Sequence, residues 1–269
     1  MGMTDWPKTL ALAGAGKMGG AMLRGWLAGG LDPAGVTLIE PHPAPDLAAL
    51  GVRLNPLGRA APDVLVLAVK PQALDAVAPT LQDLAGPHTL VVSVIAGKTL
   101  ADLAARFPQA RAFVRVMPNT PAAVGRGAAA GAANAAASAT QRGWTDKLMR
   151  AVGMFDWVTD EALIDAVTAL SGSGPAYVFA LVEAMARAGE GVGLAPDLAM
   201  RLARATVEGA GELMAREPAT TAAILRQNVT SPGGTTAAAL GVLQGAAGLD
   251  ALLARAVTAA RDRARQLSG

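Results

Sequence analysis

Strand-length apolar runs alternate with helix-length stretches through the first 120 residues and then stop. The runs are "TLALAG" (9–14), "VTLIE" (36–40), "VLVLAV" (64–69), "TLVVSVI" (89–95) and "AFVRVM" (112–117). Stretches 17–29, 43–50, 72–84 and 99–106 between them read as helices. Runs 36–40, 64–69 and 89–95 are β-branched and almost unbroken in apolar character, as strands covered on both faces should be. Such a β-α-β-α rhythm implies a parallel, doubly wound sheet. Residues 144–153 read as a helix and "FDWVT" (155–159) as the strand that closes the sheet. The segment 128–139, "AAAGAANAAASA", is helical by composition and an eroded strand by its Gly and Asn spacing, and periodicity does not choose.

From Glu161 the strand signals vanish, and six helical segments follow, punctuated by Gly and Pro, with Pro175 and Pro196 at first-turn positions. The expected division is therefore 1–160 and 161–269. Several late helices are apolar nearly all round, more than a small single-chain bundle can hide, which calls for a second copy of the chain.

Composition narrows the chemistry. The chain has 269 residues and no cysteine, which excludes thiol nucleophiles, disulfides and Cys metal sites. Two histidines, His42 and His88, sit in turn-like contexts, so no metal is expected. The formal charge is +2 with scattered basic residues, which argues against a nucleic-acid or membrane-surface partner. No apolar run approaches bilayer length, the opening residues lack a signal peptide, and Trp6 stands where a myristoylation signal needs Ser or Thr. A soluble cytoplasmic protein is expected.

"GAGKMG" (14–19) is G-x-G-x-x-G between the first strand and a helix. Gly14 permits the tight turn, Gly16 admits a pyrophosphate to the backbone, and Gly19 lets helix and strand pack closely. The helix N-terminus then favours phosphate. Lys17 is followed by Met18, so this is no P-loop. Glu40, 21 positions beyond Gly19, ends the second strand. A carboxylate there accepts from adenosine ribose hydroxyls and repels a 2′-phosphate, favouring NADH over NADPH. "AVKPQ" (68–72) and "SVIAG" (93–97) lie at carboxyl ends of strands, the ligand-binding edge of such sheets. Lys70 is either an exposed loop lysine or part of the cofactor cleft. Asn119, between two prolines in "RVMPNTP", either satisfies its own turn or faces the nicotinamide amide. Ser171 and Ser173 of "LSGSGPAY" suit helix capping, and Tyr177 suits a half-buried core position.

"GAGKMGGAM", "AVKPQ", "SVIAG", "RVMPNTPAAV", "ALSGSGPAYVF" and "NVTSPGGTTAAAL" occur in the order and spacing of the pyrroline-5-carboxylate reductases. The resemblance runs from about residue 9 to the C-terminus, and "SGSGPAY" with "SPGGTT" carries most of its specificity. It implies an α/β fold: an N-terminal Rossmann-type doubly wound parallel sheet followed by an all-α dimerisation domain, the dimers often forming a larger ring. It implies the last step of proline synthesis, hydride transfer from NAD(P)H to 1-pyrroline-5-carboxylate. By the same resemblance Gly14, Ala15, Gly16, Lys17 and Met18 face the pyrophosphate and Glu40 the ribose. Ala68, Val69, Lys70, Pro71, Val94, Ile95 and Ala96 line the remaining dinucleotide path, and Asn228 touches the cofactor across the dimer interface. Thr235 and Thr236 hold the substrate with Glu161 at its edge. Two departures stand out: similar NADP-using enzymes often carry a small hydroxyl residue in place of Glu40, and 128–139 is a poor strand.

A cyclic imine acid presents a carboxylate and a C=N bond, and its reduction needs placement and a hydrogen-bond partner for the nitrogen. "TSPGGTTAA" (230–238) fits that demand. Gly233 and Gly234 let N–H groups converge, a helix starting near Thr235 turns its positive end to the carboxylate, and Thr236 meets the ring nitrogen as the catalytic residue. Ser231 adds a contact or braces the turn. Other reductases of imines or hydroxy acids remain as alternatives, although the absence of lysine after Glu161 disfavours the β-hydroxy acid class. A non-catalytic dinucleotide-binding scaffold is the third reading.

Overall fold

In the computed structural model, which describes residues 5–56 and 60–268, the alternation becomes one sheet. The opening residues 1–4, part of the segment searched for targeting signals, lie outside the described residues. Strands β1 (Leu10–Ala13), β2 (Val36–Ile39), β3 (Arg53–Leu54), β4 (Val64–Leu67), β5 (Leu90–Ser93), β6 (Ala112–Met117), β7 (Gly127–Ala133) and β8 (Gly153–Trp157) are arranged 3-2-1-4-5-6-7-8. The first six are mutually parallel, with the strand order reversing between β1 and β4, where dinucleotide folds bind their ligand. β7 runs antiparallel to β6, and β8 is parallel to β7.

The connecting helices are α1 (Lys17–Ala28), α2 (Pro45–Ala48), α3 (Leu74–Leu81), α4 (Leu100–Arg106), α5 (Ala139–Arg150) and α6 (Leu163–Val167). Alternate strand residues feed two apolar layers. Leu10, Leu12, Val64, Val66, Val92 and Val114 pack with Met22 and Trp26 of α1 and with Leu148 and Met149 of α5. Ala11, Leu65, Leu67, Val91 and Phe113 pack with Leu74 and Leu81 of α3 and with Leu103 and Phe107. Trp26 also spans its layer, donating from Nε1 to the Leu148 carbonyl at 2.8 Å.

The undecided segment 128–139 divides: its first part is strand β7, and α5 begins at Ala139. Small residues are required in β7 by its neighbour. A Cβ on Gly131 would stand 2.9 Å from Phe155 Cζ, so the Phe155 ring takes the room that a β-branched residue would need. β3, two residues long, was not anticipated.

Helices α7 (Gly174–Gly191), α8 (Pro196–Arg216), α9 (Ala222–Asn228), α10 (Thr235–Leu243) and α11 (Leu249–Ser268) follow a π-helical turn at Thr168–Gly172. The chain divides into two compact units: one ends at Ser173 and takes in the stretch from Ala260, and the other is Gly174–Ala259. α6, the π turn and the last turns of α11 thus belong with the sheet. In the second unit, among the described residues, only Ala186, Ala199 and Ala203 are buried. Its large apolar side chains face outward, Phe179 at 63% and Val242 at 78% exposure. No helix among the described residues is long and apolar enough to cross a membrane.

Candidate active site

The glycine turn is fixed by close backbone approach. Gly14 has φ +90°, and a Cβ there would lie 2.8 Å from the backbone of Ala68 and Val69. A Cβ on Gly19 would collide with the Gly14 carbonyl. Gly16 differs: it is the N-cap of α1, nothing lies within 4 Å of its added Cβ, and no side chain caps the helix. The first N–H groups of α1, at Lys17 and Met18, have no intrahelical acceptor. That is a fit for a dinucleotide pyrophosphate.

The Glu40 carboxylate already serves the turn. Oε2 accepts from the Ala15 N–H at 2.8 Å, and Oε1 accepts from the His42 N–H at 3.1 Å. Asn55 holds the Glu40 backbone on both sides, accepting from its N–H at 3.0 Å and donating to its carbonyl at 2.8 Å. Glu40 therefore stands beside the fingerprint in a fixed pose, partly exposed.

The other strand-end residues follow along the same edge. Ala68 donates to the Ala13 carbonyl at 2.8 Å and Val94 to the Leu67 carbonyl at 3.0 Å. Val69 is half-buried, Lys70 is exposed, and Pro71 starts a 3-10 turn. Ile95 is buried with its N–H on Ser93 Oγ at 3.2 Å, and Ala96 is exposed. Asn119 is buried, and both ends of its amide are engaged. Nδ2 donates to the Ser171 carbonyl at 3.0 Å, and Oδ1 accepts from the Ala128 N–H at 2.8 Å. It ties the π turn and the start of β7 to the end of β6.

Glu161 also has partners. Oε1 accepts from the Leu100 N–H at 2.7 Å and from Arg115 at 3.2 Å. Arg115, 4% exposed, reaches Asp165 at 3.5 Å as well, and Ser268 Oγ lies 3.5 Å from it. This cluster was missed in the sequence. Its signal was present: an arginine inside the apolar run "AFVRVM" must find anionic partners. Next to it, α4 opens on a capping box in which Thr99 and Asp102 exchange hydrogen bonds. Partial burial raises the Asp102 carboxyl, but the Thr99 N–H and hydroxyl together with the nearby charges of Arg106 and Lys98 outweigh it, and the net value falls below the ordinary 3.8.

In the second unit, α9 ends at Asn228, which is exposed, and a turn leads into α10. Gly234 N–H donates to the Ser231 carbonyl at 3.0 Å across Pro232 and Gly233, and Gly233 has φ +70°, the geometry of a type II turn. Nothing lies within 4 Å of an added Cβ on Gly233. Gly234 is the N-cap of α10, and its carbonyl accepts the first helical bond, from Ala238 N–H at 3.1 Å. The N–H groups of Thr235, Thr236 and Ala237 precede that bond and lack an intrahelical partner. The N-cap is a glycine, so no side chain at that position closes the cap. By contrast Thr99, Ser138 and Thr221 cap their helices.

The reversed strand order, the uncapped glycine turn and the strand-end carboxylate define a class, the dinucleotide-binding Rossmann-type proteins. Comparison with known proteins narrows it. Residues 161–267 match the family model "Pyrroline-5-carboxylate reductase dimerisation", and residues 9–97 match "NADP oxidoreductase coenzyme F420-dependent". A pyrroline-5-carboxylate reductase of Pseudomonas aeruginosa is 43% identical over 265 residues, covering 96% of each chain. One of Pisum sativum is 39% identical over 270 residues, covering 97% of this chain and 96% of its own. Among solved structures, that of a pyrroline-5-carboxylate reductase from Coxiella burnetii superposes with a TM-score of 0.89 at 37% identity, over 98% of this chain and 100% of the other. Plasmodium falciparum pyrroline carboxylate reductase with NADP bound gives 0.77 at 25% identity, over the whole of both chains. The chain belongs to the pyrroline-5-carboxylate reductase family.

Proposed function

We propose that the turn 231–236 receives the carboxylate and ring nitrogen of 1-pyrroline-5-carboxylate, in the reaction by which this NAD(P)H-dependent reductase forms L-proline. The carrying observation is the uncapped start of α10, whose Gly234 N-cap offers no side chain to the N–H groups of Thr235 and Thr236. A helix start in that condition suits a carboxylate. The open side of Gly233 gives the ligand room. Thr236 then offers its hydroxyl to the imine nitrogen, holding or sharing the proton that makes the imine carbon electrophilic. Ser231 and Thr235 complete the polar rim. Glu161, whose Oε1 accepts from the Leu100 N–H and from Arg115, is assigned to the substrate's edge on the family resemblance.

The reduced nicotinamide, when bound, supplies the hydride. Gly14, Ala15, Gly16, Lys17 and Met18 carry the pyrophosphate, Glu40 the adenosine ribose, and Ala68, Val69, Lys70, Pro71, Val94, Ile95 and Ala96 the rest of the path. Asn119 supports the nicotinamide side by fixing the backbone around Ser171 and Ala128. Asn228 reaches the cofactor of a second copy. NADH is the preferred form, because the fixed Glu40 carboxylate opposes a 2′-phosphate. Residues 1–160 act as the dinucleotide-binding domain, and 161–269 as the substrate and dimerisation domain. The outward apolar side chains of α7 and α10 support a homodimer; the ring of dimers and the cytoplasmic location are proposed from the family resemblance alone.

Initial rates with pyrroline-5-carboxylate and with carboxyl-free 1-pyrroline test this reading. Loss of a charge-assisted carboxylate contact predicts roughly 10- to 100-fold lower kcat/KM for the latter. Equal rates would favour a general imine reductase.

A further inference from the structure

Arg115 is a cation inside a strand whose other residues are apolar, and its neighbours account for it. β6 pairs with β5 so that Arg115 lies beside Ser93, on the face packed by Val91, Phe113 and Leu103. From there the guanidinium meets Glu161 at 3.2 Å and Asp165 at 3.5 Å, with Ser268 Oγ at 3.5 Å. Ser268 Oγ is also 3.3 Å from Asp165 Oδ1, so the last turn of α11 is fastened at the cluster.

Both partners lead to the segment between β5 and α4. Glu161 accepts the N–H of Leu100, the first residue of α4. Leu267, one residue before Ser268, lays its carbonyl against Gly97, where a Cβ would stand 2.8 Å from that oxygen. Gly97 has φ +71°, a conformation costly for other residues. One flank of the 94–99 segment is thus held by the end of α11 and the other by Glu161, and Arg115 touches both holders.

We propose that Arg115, with Glu161, Asp165 and Ser268, is a positioning cluster for the dinucleotide: it seats the loop Val94–Gly97 on the last turn of α11. The proposal rests on the reading that Val94, Ile95 and Ala96 line the cofactor path. A planar guanidinium between two carboxylates fixes direction as well as distance. A loop held from both sides loses less freedom when a ligand binds, and that saving enters cofactor affinity rather than the chemistry on the substrate.

The test is fluorescence titration of NADH and NADPH into the full chain, with melting temperature and the KM for pyrroline-5-carboxylate measured in parallel. Ser268→Ala is expected to raise the cofactor Kd about 5- to 20-fold, the effect of one lost polar contact, and Gly97→Ala, whose Cβ would press on the Leu267 carbonyl, is expected to raise it as well. The substrate KM should stay within about twofold, and Ser268→Thr should restore cofactor affinity. Ala96→Trp, in the loop itself, separates the two layers of the argument. Unchanged cofactor affinity in Ser268→Ala and Gly97→Ala overturns the positioning role. If Ala96→Trp weakens binding in that series, the loop still lines the path and the cluster is merely structural. Indifference to Ala96→Trp removes the loop from the cofactor path, and the proposal with it.

Discussion

Glu40 Oε2 accepts the Ala15 N–H at 2.8 Å, so the carboxylate just after β2 also braces the glycine turn after β1. Charge and acceptor can be separated at this position. Glu40→Gln keeps an oxygen for Ala15 and removes the repulsion toward a 2′-phosphate. We expect kcat/KM with NADPH to rise about 10-fold relative to NADH, as one partly screened charge pair warrants. The ratio of initial rates with the two cofactors reads this directly. An unchanged ratio would detach Glu40 from cofactor choice.

Thr236 is the hydroxyl assigned to the imine nitrogen. Thr236→Ala should lower kcat/KM roughly 10- to 1000-fold, between the loss of one polar contact and that of a catalytic donor. NADH affinity should hardly move. Wild-type turnover would remove Thr236 from the chemistry.

The α4 capping box gives a stability prediction with a definite sign. The Asp102 carboxyl lies below its ordinary 3.8 in the folded chain. Its contribution is therefore complete above 3.8 and is lost as pH falls below that value through the folded pKa. Asp102→Asn should lower the melting temperature at neutral pH, and the gap to wild type should close well below pH 3.8. Thr99→Ala removes the other half of the box and should cost about 1 kcal/mol in denaturant titrations.

Phe179 on α7 is 63% exposed within one chain. Covering such a side chain by a second copy contributes about 2 kcal/mol, and an aspartate there would also bury a charge. Phe179→Asp should raise the dimer dissociation constant at least roughly 100-fold by sedimentation. A variant that sediments as the wild type does would place Phe179 outside the interface.

The parts legible in sequence were those where local pattern and long-range packing ask for the same residues. β2, β4 and β5 are covered on both faces and are written in valine, leucine and isoleucine. β7 was not legible, because Phe155 occupies the space beside Gly131 and leaves only small residues, which carry no strand signature. Gly14 and Gly19 were readable from spacing, since each answers to one backbone contact. The engagement of Asn119 with Ser171 was not, because those residues meet only after the chain has folded. The Arg115 cluster joins residues up to 153 positions apart, a distance no local window spans.

The central claim is that the start of α10 holds the imino acid, and a crystal structure with L-proline bound tests it most directly. The account predicts the proline carboxylate on the N–H groups of Thr235 and Thr236, with the ring nitrogen at the Thr236 hydroxyl. Proline bound elsewhere, with the 231–236 turn empty, would contradict it.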